Sequence, residues 1–265
     1  MTPRERFDAN IAALDVLANA HERDLTPTDL ASLSLYEGWA DARVRMFGFD
    51  VTGHVKPALR TILDKLDVDP NSLVSAGGLT QYFTPPTLVS TVITVATHAL
   101  DRTPTRILEP SAGTGRFLAE LPPGLAIEPD PILSEILRLR FPAWQVRRTT
   151  LENAGLTAQS FDLVIGNAPF DDRGVSDSFA PPDLRRRHLQ AKVHDYFLCK
   201  AVSLLMPGGI VAMITHHSTM DRKETGVREW LSERAELVAM WRLPAELWDA
   251  QGASPMADLV VMRRR

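Results

Sequence analysis

Along the first twenty positions the apolar residues recur every three to four: Phe7, Ile11, Leu14 and Leu17 in RFDANIAALDVLANAH share one stripe. That spacing predicts a helix with one buried side. A second helix should start at TPTDL, where Thr26 can cap and Asp29 completes a capping box, and a third should cover about 55–66, VKPALRTILDKL. Residues 1–75 therefore read as a helical subdomain, and NSLVSAGGLTQ, 71–81, has the small-residue composition of a linker. From residue 76 to 265 the pattern becomes short apolar runs alternating with helical ones. Strands are predicted at 106–111, 125–130, 144–149, 161–167, 208–215, 235–244 and 257–264. The first five alternate with helix-like segments, including 87–100 and one beginning near Arg116, so the sheet should be mostly parallel and wrapped by helices. The last two strands lie too close for a helical crossover, so one of them should run antiparallel.

Composition fits an ordinary folded chain of 265 residues, 45% hydrophobic and 23% charged, with one sizeable core. No apolar run approaches the roughly 20 residues that span a bilayer, and MTPRERFDAN lacks the apolar centre of a signal peptide, so a cytoplasmic protein without membrane attachment is expected. The single Cys199, in YFLCKAVSLL, is expected as a buried core thiol. The net charge of −4 gives no global case for nucleic-acid binding. Local basic clusters exist at Arg185, Arg186, Arg187 and His188, continued by Lys192 and His194, and at Arg147–Arg148 and Arg263–Arg265. Each taken alone reads as a solvated face.

In open parallel sheets, ligands bind beyond the carboxyl ends of the strands. The first strand runs into EPSAGTG, where Gly113 and Gly115 permit a tight turn and close backbone approach, but the third glycine of a dinucleotide fingerprint is missing and an acid, Glu109, precedes the turn. A carboxylate beside backbone amides suits an ammonium better than a pyrophosphate. The second strand ends in IEPD, and Glu128 there stands where a carboxylate can accept both hydroxyls of a ribose. Together these ends point to a nucleoside with an amino-acid-like tail and no phosphate, a description that S-adenosylmethionine fits. The fourth strand, FDLVIGN, opens directly into Ala168, Pro169 and Phe170.

These residues match a known family. LEPSAGTGRF resembles the cofactor motif of amino-methylating DNA methyltransferases, NAPF at 167–170 resembles their catalytic tetrapeptide, usually Asn or Asp, Pro, Pro, aromatic, and QYFTPP at 81–86 resembles their Phe-Thr-Pro segment. Residues 10–40 and 214–248 are similar to the adenine-methyltransferase region of large phage and plasmid helicase–methyltransferase fusions linked to anti-restriction. The resemblance implies an α/β fold: a Rossmann-like class I methyltransferase sheet of seven strands, mostly parallel with an antiparallel last hairpin, carrying a helical N-terminal subdomain. It implies S-adenosylmethionine as cofactor and the N6 amine of adenine in DNA as acceptor, the base being flipped from a duplex or already single-stranded.

By the same resemblance, the side chain of Asn167 and the carbonyl of Ala168 accept hydrogen bonds from the target amine, with Pro169 shaping the turn and Phe170 stacking on the base. Tyr82, Phe83 and Thr84 line the methionine end of the cofactor, and Glu109, Pro110, Ser111, Ala112, Gly113 and Gly115 form its loop. Glu128 and Pro129 take the ribose, Glu152 the adenine amine, and Asn167 borders the cofactor as well. Arg185, Arg186, Arg187 and Lys192 are placed to meet DNA phosphates. Ala168 departs from the family's first proline, keeping the carbonyl but loosening φ.

Cytosine C5 methylation needs an activated cysteine, which a core Cys199 does not provide. His216 and His217 follow the fifth strand without a third ligand at metal spacing, so no metal is expected. Trp241 and Trp248 flank RLP and are expected either as core aromatics or at the border of a base pocket. Cytosine N4, an RNA base or a protein glutamine amide remain alternative planar acceptors, and a non-catalytic anti-restriction module is the alternative of another class. Sequence specificity would come from the helical N-terminal region, from the insert at 171–194, or from a separate chain.

Overall fold

The computed structural model describes residues 1–50, 52–71, 73, 83–185, 189–251 and 255–265. Four helices come first: α1 (Pro3–Asn19), α2 (Pro27–Ser34), α3 (Ala42–Gly48) and α4 (Pro57–Lys65). Thr26 caps α2 and Asp29 returns the bond to the cap backbone, as the sequence predicts. The linker stretch 71–81 lies almost wholly outside the described residues.

After α5 (Pro86–Leu100), seven strands form one sheet in the order β3-β2-β1-β4-β5-β7-β6. They are β1 (Ile107–Glu109), β2 (Leu125–Ile127), β3 (Gln145–Arg147), β4 (Phe161–Asn167), β5 (Leu205–His216), β6 (Ala235–Leu243) and β7 (Ala257–Arg264). The first five pair in parallel, and β7 runs antiparallel to both β5 and β6. The crossover helices are α6 (Pro131–Arg140), between β2 and β3, and α7 (Val193–Leu204), between β4 and β5, while α8 (Ser218–Asp221) and α9 (Gly226–Arg234) precede β6.

Period-two alternation along β5 sorts its side chains to two cores. Val211 and Met213 join Val164 and the residues of α7 and α9 on one face, whereas Ile210, Ala212 and Ile214 join Ile165 and α5 on the other. Both faces are covered, which is why the central strands read as continuous apolar runs. Asp162 is the polar exception inside β4. Its buried carboxylate accepts from the Thr105 and Arg106 amides and the Thr105 hydroxyl, locking the entry to β1 against β4. A third cluster unites α1–α4 with Ile132, Leu133 and Ile136 of α6.

Two expectations need correction. No α-helix follows the glycine turn: Leu118–Glu120 form a single 3-10 turn, because Pro122 and Pro123 arrive too soon for a helix to continue. Trp241 is not a core residue but is 45% exposed on the edge strand β6, whereas Trp248 is buried. Cys199 is a free, buried thiol, as expected, and burial pushes its pKa up. Among the described residues no helix is long and apolar enough to cross a membrane.

Candidate active site

The strand order reverses direction between β1 and β4, and their carboxyl ends flank the crevice that such a reversal opens. A cavity of about 310 Å³ occupies it. Glu109 enters from the tip of β1, Glu128 from just beyond β2, and Asn167 from the tip of β4. Ser111, Ala112, Gly113 and Pro129 line it too, as do Phe83 and Thr84 and the tetrapeptide residues Ala168, Pro169 and Phe170.

The glycine turn is built by backbone constraint. Gly113 has φ +53°, and a Cβ there would stand 2.9 Å from the Phe83 ring. Gly115, at φ +77°, packs under Phe141, where a Cβ would come within 2.4 Å of the ring, so its role is packing. Neither Gly115 nor Pro110 is among the cavity-lining residues. Glu152 sits half-buried in the 3-10 turn Leu151–Asn153 and does not line the cavity either. Tyr82 lies outside the described residues.

The two acids are electrostatically unusual. Glu109 is 2% exposed, its Oε2 has no hydrogen-bond partner, and burial reinforced by the nearby Glu128 pushes its carboxyl well above the usual range. Glu128 accepts the Gly113 amide at 2.8 Å and the Asp130 amide at 2.9 Å, yet burial dominates and pushes its pKa up to about 8. A buried carboxyl with an orphaned oxygen fits a cationic ammonium, and one anchored on amides with lone pairs to spare fits a pair of hydroxyls.

The NAPF stretch, 167–170, is held at the backbone. The Ser111 hydroxyl donates to the Asn167 carbonyl at 2.6 Å, and the Ala168 amide donates to the Ile214 carbonyl at 2.9 Å. Ala168 itself is 2% exposed and part of the core. Phe170 packs on the α5-side core and meets the His216 ring edge-on, with centroids 5.7 Å apart.

Several lining residues escaped the sequence reading. Arg116 reaches the cavity, donates to the Thr84 carbonyl at 2.8 Å and pairs with Glu37 from the N-terminal helices. Trp248, by contrast, was expected either in the core or at the border of a base pocket, and a 3-10 segment places its buried ring in the cavity wall.

Of the basic residues expected at DNA, Arg185 is turned onto the Ser178 and Ala180 carbonyls, and Lys192 pairs with Asp172 at 2.6 Å. Arg186 and Arg187 lie outside the described residues. Among the described residues no group of three or more His, Cys, Asp or Glu is placed to hold a metal.

The sheet order and the crevice beside β1 and β4 are those of the class I methyltransferase fold. Residues 134–246 match the Eco57I restriction-modification methylase family. Over 195 residues it is 30% identical to the defense against restriction protein B of Escherichia phage P1, a match that covers 71% of this chain and 8% of that protein's length. A modification subunit of a putative type I restriction enzyme from Vibrio vulnificus superposes with a TM-score of 0.59 at 15% identity, covering 99% of this chain and 76% of that one. A putative class I S-adenosylmethionine-dependent methyltransferase from Listeria monocytogenes gives 0.57 at 13% identity, covering 98% and 88%. The cofactor of this family is S-adenosylmethionine, as the strand ends imply.

Proposed function

We propose that the chain transfers a methyl group to the N6 amine of adenine in DNA, the base being flipped from the duplex or offered in a single strand. The observation that carries this reading is that Asn167 and Phe170 line the same cavity as Glu109 and Glu128. Bound S-adenosylmethionine supplies an electrophilic methyl on its sulfonium. Glu109 then holds the ammonium, Glu128 takes the ribose hydroxyls, and Phe83 and Thr84 close the methionine end.

An exocyclic amine on a purine is a poor nucleophile because its lone pair is delocalised into the ring. The Asn167 side-chain oxygen and the Ala168 carbonyl each accept one of its hydrogens, which favours a pyramidal nitrogen with its lone pair aimed at the methyl. The bonds from Ser111 and to Ile214 hold the carbonyl and the amide of the Asn167–Ala168 peptide itself, offsetting the freedom that Ala168 has in place of a proline. Phe170 and Trp248 form the apolar walls that receive the base.

Lys192 and the arginines of the 171–194 insert meet the phosphates, and sequence readout rests with that insert or with a separate chain. The test is incubation with labelled cofactor and mixed genomic DNA, followed by nucleoside analysis. Label in N6-methyladenine supports the reading. Label in N4-methylcytosine, RNA or protein alone, or cofactor binding without transfer, overturns it.

A further inference from the structure

Residues 216–218, His-His-Ser, are not among the cavity-lining residues, yet the His216 ring meets the lining residue Phe170 in a T-shaped contact. His216 ends β5, and because Asn167 pairs with Ile214, the chain leaving β4 runs alongside the end of that strand. The ring is gripped on its other sides. His217 stands 4.2 Å away and His194 5.1 Å away, centroid to centroid.

Hydrogen-bond directions leave His216 one tautomer. The Ser218 amide points at Nδ1 from 3.2 Å, and an amide can only donate, so Nδ1 carries the lone pair and Nε2 the proton. The Ser218 hydroxyl, 2.8 Å from the same nitrogen, donates to it as well. Its oxygen then accepts from Arg222 Nη2 at 3.3 Å and from His194 Nε2 at 3.2 Å. Arg222 can only donate, so the directions are mutually consistent, and the bare Nδ1 leaves His216 neutral. The charges facing the ring are balanced in pairs, Lys192 with Asp172 from the insert and Arg222 with Asp195 of α7.

A proton added to His216 must go on Nδ1, against two donors. The Ser218 hydroxyl can turn to accept that proton but the Ser218 amide cannot, so protonation loosens the seat that holds the ring against Phe170. Burial, with His217 next in effect, already holds the His216 pKa below its ordinary value.

We propose that His216 is a positioning residue for Phe170, and that Ser218 sets the tautomer in which it fixes the ring that receives the base. The proposal rests on the reading of Phe170 given above, and its tests separate the two. In protein labelled with 15N at histidine, His216 should show a bare Nδ1 and a protonated Nε2 at about pH 7, and the Phe170 ring signals should move in His216→Ala, whether or not DNA is methylated. Nδ1 protonation, or unmoved Phe170 signals, overturns the proposal.

In kinetics, His216→Ala should lower kcat/KM for DNA about tenfold with cofactor affinity within about twofold. His216→Phe keeps a ring that cannot titrate. It should retain most activity while losing the decline in kcat/KM expected of the natural protein below about pH 6.5. An unchanged acid decline in His216→Phe overturns the positioning role. A natural protein that methylates no DNA overturns the reading of Phe170, and the spectroscopic outcome then decides His216 by itself.

Discussion

At Asn167 the proposed chemistry rests on a single oxygen. Asn167→Ala removes one of two acceptors and should lower kcat by about 10²-fold or more while the cofactor Kd stays nearly constant. Unchanged turnover in single-turnover assays would remove Asn167 from the mechanism. Glu109 and Glu128 make a second expectation at this scale. Both are pushed toward the protonated form in the free protein, Glu128 to about 8, and a cationic tail beside Glu109 favours the carboxylate. Cofactor uptake at about pH 7 should therefore release about one proton. Calorimetry in buffers of different ionisation enthalpy measures it, and Glu109→Gln should diminish it. Asn167, Gly113 and Glu128 were legible because each sits within a few residues of a strand end that the apolar pattern locates. Arg116 was not, since its role comes from a contact with Glu37, 79 positions away, which no local spacing announces.

At the element scale, the insert after β4 is a built structure whose anchor is buried. Asp177 accepts from Lys200 Nζ and the Tyr196 hydroxyl, both at 2.7 Å, and its other oxygen accepts the Phe179 amide, so α7 holds the turn that presents Phe179, 58% exposed. Lys200→Met strands the Asp177 carboxylate in the core and should cost about 3–5 kcal/mol in urea unfolding. Proteolysis within 171–192 should begin before global unfolding. The strands and most helices followed from periodicity, and the turn after Gly115 did not. There an apolar Phe117–Leu118 pair imitates a helix start, and the two prolines that cut it short outweigh it.

For the whole molecule, the N-terminal helices and the sheet domain meet at the Thr84–Arg116 side of the cavity. Asn10 of α1 holds the 37–38 loop through the Glu37 amide and the Gly38 carbonyl, and Glu37 in turn holds Arg116 on the Thr84 carbonyl. Arg116→Ala should weaken cofactor affinity about tenfold with a smaller effect on kcat, read by titration. The raised Glu128 sets a stability trend as well. Between the unfolded carboxyl value near 4.5 and the folded value of about 8, the folded state binds more protons, so stability falls as pH rises. His194 acts oppositely: burial lowers it from 6.5 to about 4, so stability falls as pH drops through that window. Above about pH 6.5 the raised carboxyls Glu109 and Glu128 remain, and the free energy of urea unfolding should decline toward about pH 8 by about 1–2 kcal/mol from Glu128 alone, a part that Glu128→Gln removes.

The lone sulfhydryl of α7, sealed between the insert's anchor and the sheet, gives this molecule a built-in stopwatch. Alkylating reagents can reach Cys199 only when α7 lifts away, so the labelling rate under native conditions counts those openings. It should quicken in Lys200→Met and slow when cofactor is added.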